Sequence, residues 1–316
     1  MNKKISKTLF FLSENSRITT NLLSKNTHSS QQSASYMMQQ LKKKRIILNY
    51  NTIVDPIKFG FTNILVGINY RIFDSKTKNE IINELKQIDS IISIQEATQG
   101  VDLLVEYSIL NLSAFNKLHT DVMHKFYKNI ETKFIFPVVV KHKFERAYLA
   151  NKKKNQKDDV ICGDRETRKL TEKEMQVLEL LIQEPQITFS KISNKTKMAA
   201  KTIVNIKKRL ETRKIIRGYS CTLNYKKTNI HRQVIFLTVS GRGMGEINKL
   251  VEYSKTHKNI IELVKVIGEY QLFIIVESKA EINIINDLRS EFPIKNYLIV
   301  NVNNMPKEQY VPENLK

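Results

Sequence analysis

LTEKEMQVLELLIQEPQITFSKIS, residues 170–193, and KKRLETRKIIRGYSCTLN, residues 207–224, decide the fold of one half of the chain. Thr171 followed three residues later by Glu174 is a capping-box signal for the start of a helix. Apolar residues then recur at helical spacing until Pro185, which ends the helix. The first stretch therefore predicts an amphipathic helix at the start of a small helical unit.

Two more helices follow it. The second runs from Ile187 to Ile192, and after a turn at residues 194–197 the third runs from about Met198 to Arg213. The inward stripe of the third helix comprises Ile203, Ile206 and Leu210. Residues 215–223 predict the strand of a wing. Three helices with a tight turn and a following hairpin predict a winged helix-turn-helix.

The sequence repeats itself at an offset of 169 positions. Ile18-Thr19 falls on Ile187-Thr188, and Ile46-Ile47 falls on Ile215-Ile216. The first copy therefore predicts the same unit, with its third helix from about Ser30 to Lys44. We place winged helix-turn-helix units at residues 1–55 and 169–224, ferredoxin-like domains at 56–150 and 225–316, and a polar linker or exposed loop at 151–168.

Each copy continues with alternating strand and helix patterns. In the first copy, strands are predicted at 62–70, 91–97, 101–107 and 132–140, with helices at 78–88 and 112–127. In the second copy, the same order is predicted at 233–239, 246–257, 260–267, 271–277, 281–291 and 296–302. The order βαββαβ predicts an α+β fold with a ferredoxin-like domain in each copy. Because such open sheets commonly pair face to face, we expect the two copies to pair within one chain.

The charge of the chain indicates an anionic partner. The 316 residues carry a formal net charge of +21 and a pI near 9.7, which favours double-stranded DNA, RNA or an anionic membrane surface. The alternative is that a Lys-, Asn- and Ile-rich composition reflects codon bias. Cys162 and Cys221 match no metal spacing, so we expect free thiols in a reducing compartment. With no signal peptide, membrane span, metal signature, cofactor motif or catalytic motif evident, we expect a cytoplasmic, non-enzymatic protein.

The outward face of each third helix, extended into the second wing by Arg217, supplies the candidate DNA contacts. These are Ser30, Gln31, Gln32, Ser35, Gln39, Lys42 and Lys43 in the first copy, and Lys201, Thr202, Asn205, Lys208, Arg209 and Arg217 in the second. Amide and hydroxyl side chains can bond base edges, whereas Lys and Arg meet phosphates. The alternative for either helix is an ordinary solvated face.

The chain resembles the Lrp/AsnC family of leucine-responsive and feast/famine regulators. In the second copy the resemblance lies in the two stretches quoted above and in VKVIGEYQLFIIVE, residues 264–277. In the first copy it lies in SENSRITTNLLS, QQLKKKRIILNYNTIVDPIKFGF and EATQGVDLLVEY. The resemblance implies a sequence-specific transcription regulator that folds as a pseudo-dimer within one chain and assembles further into homo-oligomers.

The family resemblance also implies a small-molecule site, for an amino acid or another effector. The family carries a glycine and then an acidic residue in the turn between the second and third strands of the sandwich. The corresponding candidates are Gly100, Asp102, Gly268, Tyr270 and Gln271. Each copy departs from the pattern, because the second has Gln271 at the acidic position and the first has its glycine displaced by one. Ordinary hairpin-turn roles are the alternative.

Two other functions stay open on the sequence. One is an enzyme similar to the siroheme decarboxylases, which share the tandem architecture and carry clustered Arg and His around the first strand of the sandwich. Here that cluster is reduced to His231-Arg232. The other is an architectural protein that binds DNA without sequence preference.

Overall fold

The computed structural model describes residues 2–72, 74–155, 159–163, 166–240 and 245–315. The first half contains α1 (Lys3–Glu14), α2 (Thr20–Thr27), α3 (Gln31–Lys43), β1 (Ile47–Val54), a 3₁₀ turn (Pro56–Phe59), β2 (Thr62–Tyr70), α4 (Ser75–Gln87), β3 (Ile91–Gln99), β4 (Leu103–Ile109), α5 (Leu112–Lys125), β5 (Ile130–Lys143) and α6 (Ala147–Ala150). The second half contains β6 (Asp159–Cys162), α7 (Glu172–Gln183), α8 (Phe189–Thr196), α9 (Ala200–Thr212), β7 (Ile216–Leu223), α10 (Tyr225–Thr228), β8 (His231–Val239), α11 (Gly245–Thr256), β9 (Ile260–Val266), β10 (Leu272–Ser278), α12 (Ile284–Glu291) and β11 (Ile294–Glu308).

Helices α1–α3 and α7–α9 form two helix-turn-helix units, called here HTH1 and HTH2. The predicted capping box is present, because the Thr171 side chain accepts from the Glu174 backbone N–H and the Glu174 side chain accepts in return. The predicted inward stripe of α9 is buried. Local capping and apolar spacing thus explain where these helices begin and which face they bury.

The strand that follows each third helix pairs differently from the prediction. β1 and β7 pair with each other in an antiparallel two-stranded sheet, so neither belongs to a wing hairpin of its own half. Tyr50 lies opposite Cys221, and Thr52 lies opposite Tyr219. Because Tyr219 is the counterpart of Tyr50 at the 169-residue offset, this register relates the two halves by an approximate two-fold axis. The prediction of a local hairpin is wrong, since strand pattern alone does not specify a partner.

The two βαββαβ units join at their edges as well as facing each other. In the described chain the strands run in the order β2, β4, β3, β11, β8, β10, β9 and β5, and β5 pairs again with β2. The contacts between halves are β3 with β11 and β5 with β9. The α+β class and the duplicated strand order are confirmed, and the two sheets close into one antiparallel barrel.

The helices of the βαββαβ units cover the outside of this barrel. Ile81 and Leu85 of α4 are buried against the outer face of the first sheet, in a cluster that also holds Val122 of α5. Leu250 of α11 and Leu288 of α12 are buried in the corresponding cluster on the second sheet. The inner faces of both sheets, including Phe136 and Phe236, pack together inside the barrel.

The segment between the halves is not wholly a linker. β6, at Asp159–Cys162, adds to the edge of β5, and Ile161 and Cys162 are buried. The prediction of a linker or exposed loop over 151–168 is therefore wrong at this strand. The described part of that segment lacks the apolar alternation of a longer strand, so the sequence pattern did not indicate this four-residue strand among charged neighbours.

Each helix-turn-helix core is completed by the opposite half. Val54, from the end of β1, packs with the buried residues of HTH2. Cys221 and Leu223, from the end of β7, pack with the buried residues of HTH1. Since burial of such side chains is the main stabilising term of a small unit, neither helix-turn-helix has a core independent of the other half.

No helix within the described ranges is long and apolar enough to cross a membrane.

Candidate nucleic-acid interface

The turn before α3 has the same backbone conformation as the turn before α9. His28 directly follows α2 and Lys197 directly follows α8, and both residues adopt left-handed φ angles, of 52° and 57°. Ser30 then caps α3, because its side chain accepts from the backbone N–H of Ser33. Ala199 begins α9 with no side-chain cap. The tight turn sets α3 and α9 as the second helices of two helix-turn-helix motifs.

The outward faces of α3 and α9 are exposed as the sequence predicts. The exposed candidates are Ser30, Gln31, Gln32, Gln39, Lys42, Lys43, Lys201, Thr202, Asn205, Lys208 and Arg209, and Ser35 is half-buried. Gln31 Nε2 donates to the Thr20 hydroxyl at 3.2 Å, which orients its amide across the turn. These side chains form two surfaces, one rich in amides and the other rich in lysine.

Two exposed side chains on these helices were not predicted as contacts. Tyr36 on α3 is 62% exposed, and Val204 on α9 is 41% exposed. Apolar contact with the thymine methyl group is one way that a helix reads the major groove. The sequence signal was present, because both residues lie on the outward face, but the prediction considered polar side chains alone.

Arg217 does not belong to the exposed surface. Its Nη2 donates to Asp55 Oδ2 at 2.7 Å, the Asp55 side chain is fully buried, and 11% of the Arg217 side chain is exposed. The prediction that Arg217 contacts DNA is therefore contradicted by its placement, because a buried carboxylate holds the guanidinium. Sequence proximity to the basic end of α9 gave no sign of a partner in the other half.

Positive charge gathers where the recognition helices end. Lys42, Lys43, Lys44 and Arg45 are exposed at the end of α3. Arg209 is 60% exposed while its Nε lies 3.5 Å from Glu174 Oε1. Burial opposes ionisation of Glu174, but hydrogen bonds from Thr171 and the charges of Arg213 and Arg209 lower its pKa. Part of the charge at the end of α9 is thus offset within the protein, whereas no carboxylate of the described residues pairs in this way with the basic run at the end of α3.

HTH1 and HTH2 touch through reciprocal hydrogen bonds. Arg17 Nη1 donates to the Pro185 carbonyl at 2.5 Å, and Gln186 Nε2 donates to the Ser16 carbonyl at 2.8 Å. Ser16 and Pro185 are counterparts at the 169-residue offset, as are Arg17 and Gln186. Arg17 also lies over the Tyr219 ring at 5.7 Å. These reciprocal hydrogen bonds fix HTH1 and HTH2 relative to each other.

The predicted effector turns lie where the two halves meet. A Cβ added at Gly100 would lie 2.5 Å from the Ile299 carbonyl of β11, and one added at Gly268 would lie 2.3 Å from the Phe136 ring of β5. Each turn therefore needs glycine for close approach to the other half. Tyr270 is buried against Phe136 and Phe236.

The side chain at the acidic position of the turn accepts a hydrogen bond from a backbone N–H in both halves. Asp102 Oδ2 accepts from the Tyr70 backbone N–H at 2.7 Å. Gln271 Oε1 accepts from the Val239 backbone N–H at 3.0 Å, at the counterpart position. The amide of Gln271 thus preserves the hydrogen bond that a carboxylate makes in the first half. An effector role for these turns stays a prediction.

Comparison with known proteins finds relatives in sequence and structural matches along nearly the whole chain. No family model matches the chain. An uncharacterized HTH-type transcriptional regulator of Pyrococcus furiosus is 28% identical over 105 residues, which are 33% of this chain and 69% of that protein. A second such regulator, from Pyrococcus abyssi, is 25% identical over 111 residues, which are 35% of this chain and 74% of that protein. The chain is similar in sequence to HTH-type transcriptional regulators.

Among solved structures, the siroheme decarboxylase NirDL matches along nearly the whole chain. It has a TM-score of 0.58 at 14% identity and covers 98% of this chain and 94% of its own. At that identity the match shows the fold alone. The two-unit α+β architecture is therefore shared with a solved protein.

Proposed function

We propose that the chain is a sequence-specific DNA-binding transcription regulator of the Lrp/AsnC type, in which a tandem duplication supplies both halves of a pseudo-dimer. The observation that carries this proposal is the reciprocal contact of Arg17 and Gln186, which fixes two exposed recognition helices on one body. The sequence likeness to two HTH-type transcriptional regulators supports it. So does the net charge of +21, which favours an anionic duplex.

α3 and α9 differ in the side chains that they offer for base contacts and for phosphate contacts. The amides of Gln32 and Gln39 on α3 suit bidentate bonding to adenine edges, and Asn205 on α9 has the same capacity. Lys201 and Lys208 on α9 suit phosphates, which position a protein without reading sequence. We therefore expect unequal half-sites, one held mainly by base contacts and the other with a larger phosphate share.

Fluorescence anisotropy with duplexes selected from random sequence tests this function. The variant Gln32→Ala/Gln39→Ala disables α3, Lys201→Ala/Asn205→Ala disables α9, and the four changes together disable both. We expect each pair to weaken binding to the selected duplex, and the fourfold variant to bind all duplexes alike. Lys117→Ala, on the exposed face of α5, is the control. Full sequence preference in the fourfold variant would refute the proposal.

A siroheme decarboxylase-type enzyme is the second candidate, because of the full-length fold match. One observation makes it weaker. Of the His231-Arg232 pair at the first strand of the second sandwich, Arg232 is buried and its Nη1 lies 2.6 Å from Glu277 Oε1. A guanidinium held in this way is not available to a substrate carboxylate. A decarboxylation assay with siroheme separates the two functions, and turnover would favour the enzyme.

A further inference from the structure

A cleft of about 630 Å³ opens at one end of the second sheet. It lies where α10 meets the start of β8, and its other walls are the end of β10 and the middle of β11. We call it the His231 cleft. Its volume falls within the range of small-molecule sites, which is about 300–1,000 Å³.

Two lysines and a histidine lie on the rim of the His231 cleft. Lys226, His231 and Lys279 line it and are exposed, and Glu281 is the one carboxylate among its described lining residues. Asn229 and Gln233 add amide groups. Such a rim favours a ligand with carboxylate or phosphate oxygens, which accept charge-assisted hydrogen bonds.

The first half of the chain lacks this chemistry at the equivalent place. Strands β2 and β4 correspond to β8 and β10 at an offset of 169, so Lys226, His231 and Lys279 have the counterparts Ile57, Thr62 and Leu110. By cross-strand position, the pair Gln233–Asn301 corresponds to Ile64–Pro137. A general need of the fold for polar groups here would apply to both halves. The two lysines and the histidine of the cleft therefore have no basic counterparts at these positions of the first half.

The cleft is separate from the turns that the sequence suggested as an effector site. Gly268 precedes β10, whereas the cleft is lined by Val276 and Ser278 at the far end of that strand. Seven residues of strand span roughly 20 Å. A ligand in the cleft would thus occupy a different place from one at the turn.

The inner wall of the cleft is joined to HTH1 by a buried hydrogen-bond chain. Tyr225 and Arg232 line the cleft, and both donate to Glu277 Oε1, at 2.8 Å and 2.6 Å. Arg146 Nε and the Tyr148 hydroxyl donate to Glu277 Oε2, each at 2.8 Å. Glu277 is fully buried, so these bonds are shielded from water.

The segment that carries Arg146 and Tyr148 lies against α1. The Arg146 backbone N–H donates to Glu14 Oε1 at 3.2 Å, and the Ser6 hydroxyl donates to the Leu149 carbonyl at 2.5 Å. A displacement of Tyr225 or Arg232 would therefore be transmitted to α1 of HTH1 through Glu277 and the segment that carries Arg146 and Tyr148.

We propose that the His231 cleft binds a small anionic molecule with a carboxylate or phosphate group, and that the bound molecule acts on HTH1 through Glu277. The regulatory part rests on the proposed function, whereas ligand binding does not. Lys226, His231 and Lys279 hold the anionic group. Citrate, which has carboxylates and a hydroxyl, and inorganic phosphate are the two probes that distinguish the anionic groups.

Isothermal titration of the full chain with citrate, and separately with inorganic phosphate, tests ligand binding. We expect at least one probe to bind with millimolar or tighter affinity, and the variant Lys226→Gln/Lys279→Gln to weaken it by about tenfold or more, since two charge-assisted contacts are lost. The control Lys117→Gln/Lys295→Gln removes the same charge from exposed sites elsewhere. Binding of neither probe, or equal weakening in both variants, would overturn the site.

Amide hydrogen exchange with and without the bound probe tests the connection to HTH1. We expect changed protection in residues 3–14, and no such change in Lys226→Gln/Lys279→Gln. Unchanged exchange in α1 with saturated ligand would overturn the connection. Both measurements are made without DNA, so they test ligand binding and its connection to α1 even if the proposed transcription function is wrong.

Discussion

Arg17 and Gln186 occupy equivalent positions in the two helix-turn-helix units, and each donates a hydrogen bond to a backbone carbonyl of the other unit. Arg17 Nη2 reaches the Ile187 carbonyl at 2.9 Å, and Gln186 Nε2 reaches the Ser16 carbonyl at 2.8 Å. An interface in which the same patch meets itself is the hallmark of two-fold symmetry between subunits. Here one polypeptide supplies both patches, so the distance between the recognition helices is set by folding and not by association.

Arg17→Ala should loosen the contact between HTH1 and HTH2. It leaves the Pro185 and Ile187 carbonyls without their donor, and we expect the free energy of unfolding to fall by about 1–3 kcal/mol. DNA affinity should fall for duplexes with two half-sites and stay unchanged for a single half-site. Urea unfolding and fluorescence anisotropy measure these effects, with Lys117→Ala as the control. An equal loss on both kinds of duplex would show that Arg17 contacts DNA directly.

Lys208 and Arg217 should respond in opposite ways to removal. Lys208→Ala should reduce the slope of log affinity against log salt by about 0.9, because one phosphate contact is lost. Arg217→Ala should leave that slope unchanged and lower the free energy of unfolding by about 3–5 kcal/mol, because Asp55 stays buried without its cation. Salt titrations of DNA binding and urea unfolding of both variants provide the comparison. A reduced slope in Arg217→Ala would contradict the placement of this side chain.

The Glu277 carboxylate should make stability sensitive to acid. Burial alone would raise its pKa, but Arg146 and Arg232 lower the pKa to about 2, against 4.5 for the free group. A carboxyl group with a depressed pKa stabilises the fold above its unfolded pKa, and this contribution is lost as pH falls from about 4.5 toward 2. Urea unfolding at a series of pH values should show that decline.

Substituting Glu277 isolates its share of this acid response. Glu277→Gln should lower the free energy of unfolding at neutral pH by about 3–5 kcal/mol, since two buried guanidinium groups lose their counter-charge. The variant should also show a smaller decline below pH 4.5. Glu281→Gln, at an exposed position, should change neither quantity. The same acid response in Glu277→Gln and the parent chain would rule out this carboxylate as its source.

The two thiols should be unreactive in the folded chain. Cys162 and Cys221 are buried, and burial raises the pKa of each to about 12. Because the thiolate is the reactive form, Ellman's reagent should modify both slowly in native buffer and rapidly in denaturant. Rapid modification of either thiol without unfolding would mean that β6 or β7 opens readily.

The sequence predicted the order of elements well, because that order follows from local patterns. The capping box at Thr171 and the stripe of Ile203, Ile206 and Leu210 are properties of single helices, and both are present. Strand partners depend on distant residues instead. The pairing of β1 with β7 and the addition of β6 to β5 were therefore not predicted.

The candidate interface shows the same division between local and distant effects. Exposure on α3 and α9 follows from helical periodicity, so those residues were identified correctly as surface positions. The burial of Arg217 and Tyr270 depends on Asp55 and Phe136, which belong to the other half of the chain. Arg17 and Gln186 were visible as aligned positions, but their reciprocal contact requires the fold.

Binding to duplexes in which the spacing between two selected half-sites is varied tests the fixed pair of recognition helices most directly. A rigid contact between the two units predicts a sharp affinity maximum and a large loss when about half a helical turn, roughly 5 bp, is inserted, whereas Arg17→Ala, which loosens that contact, should show a flatter dependence of affinity on spacing. Affinity that is independent of spacing would contradict the account, because it would mean that the two units engage DNA separately.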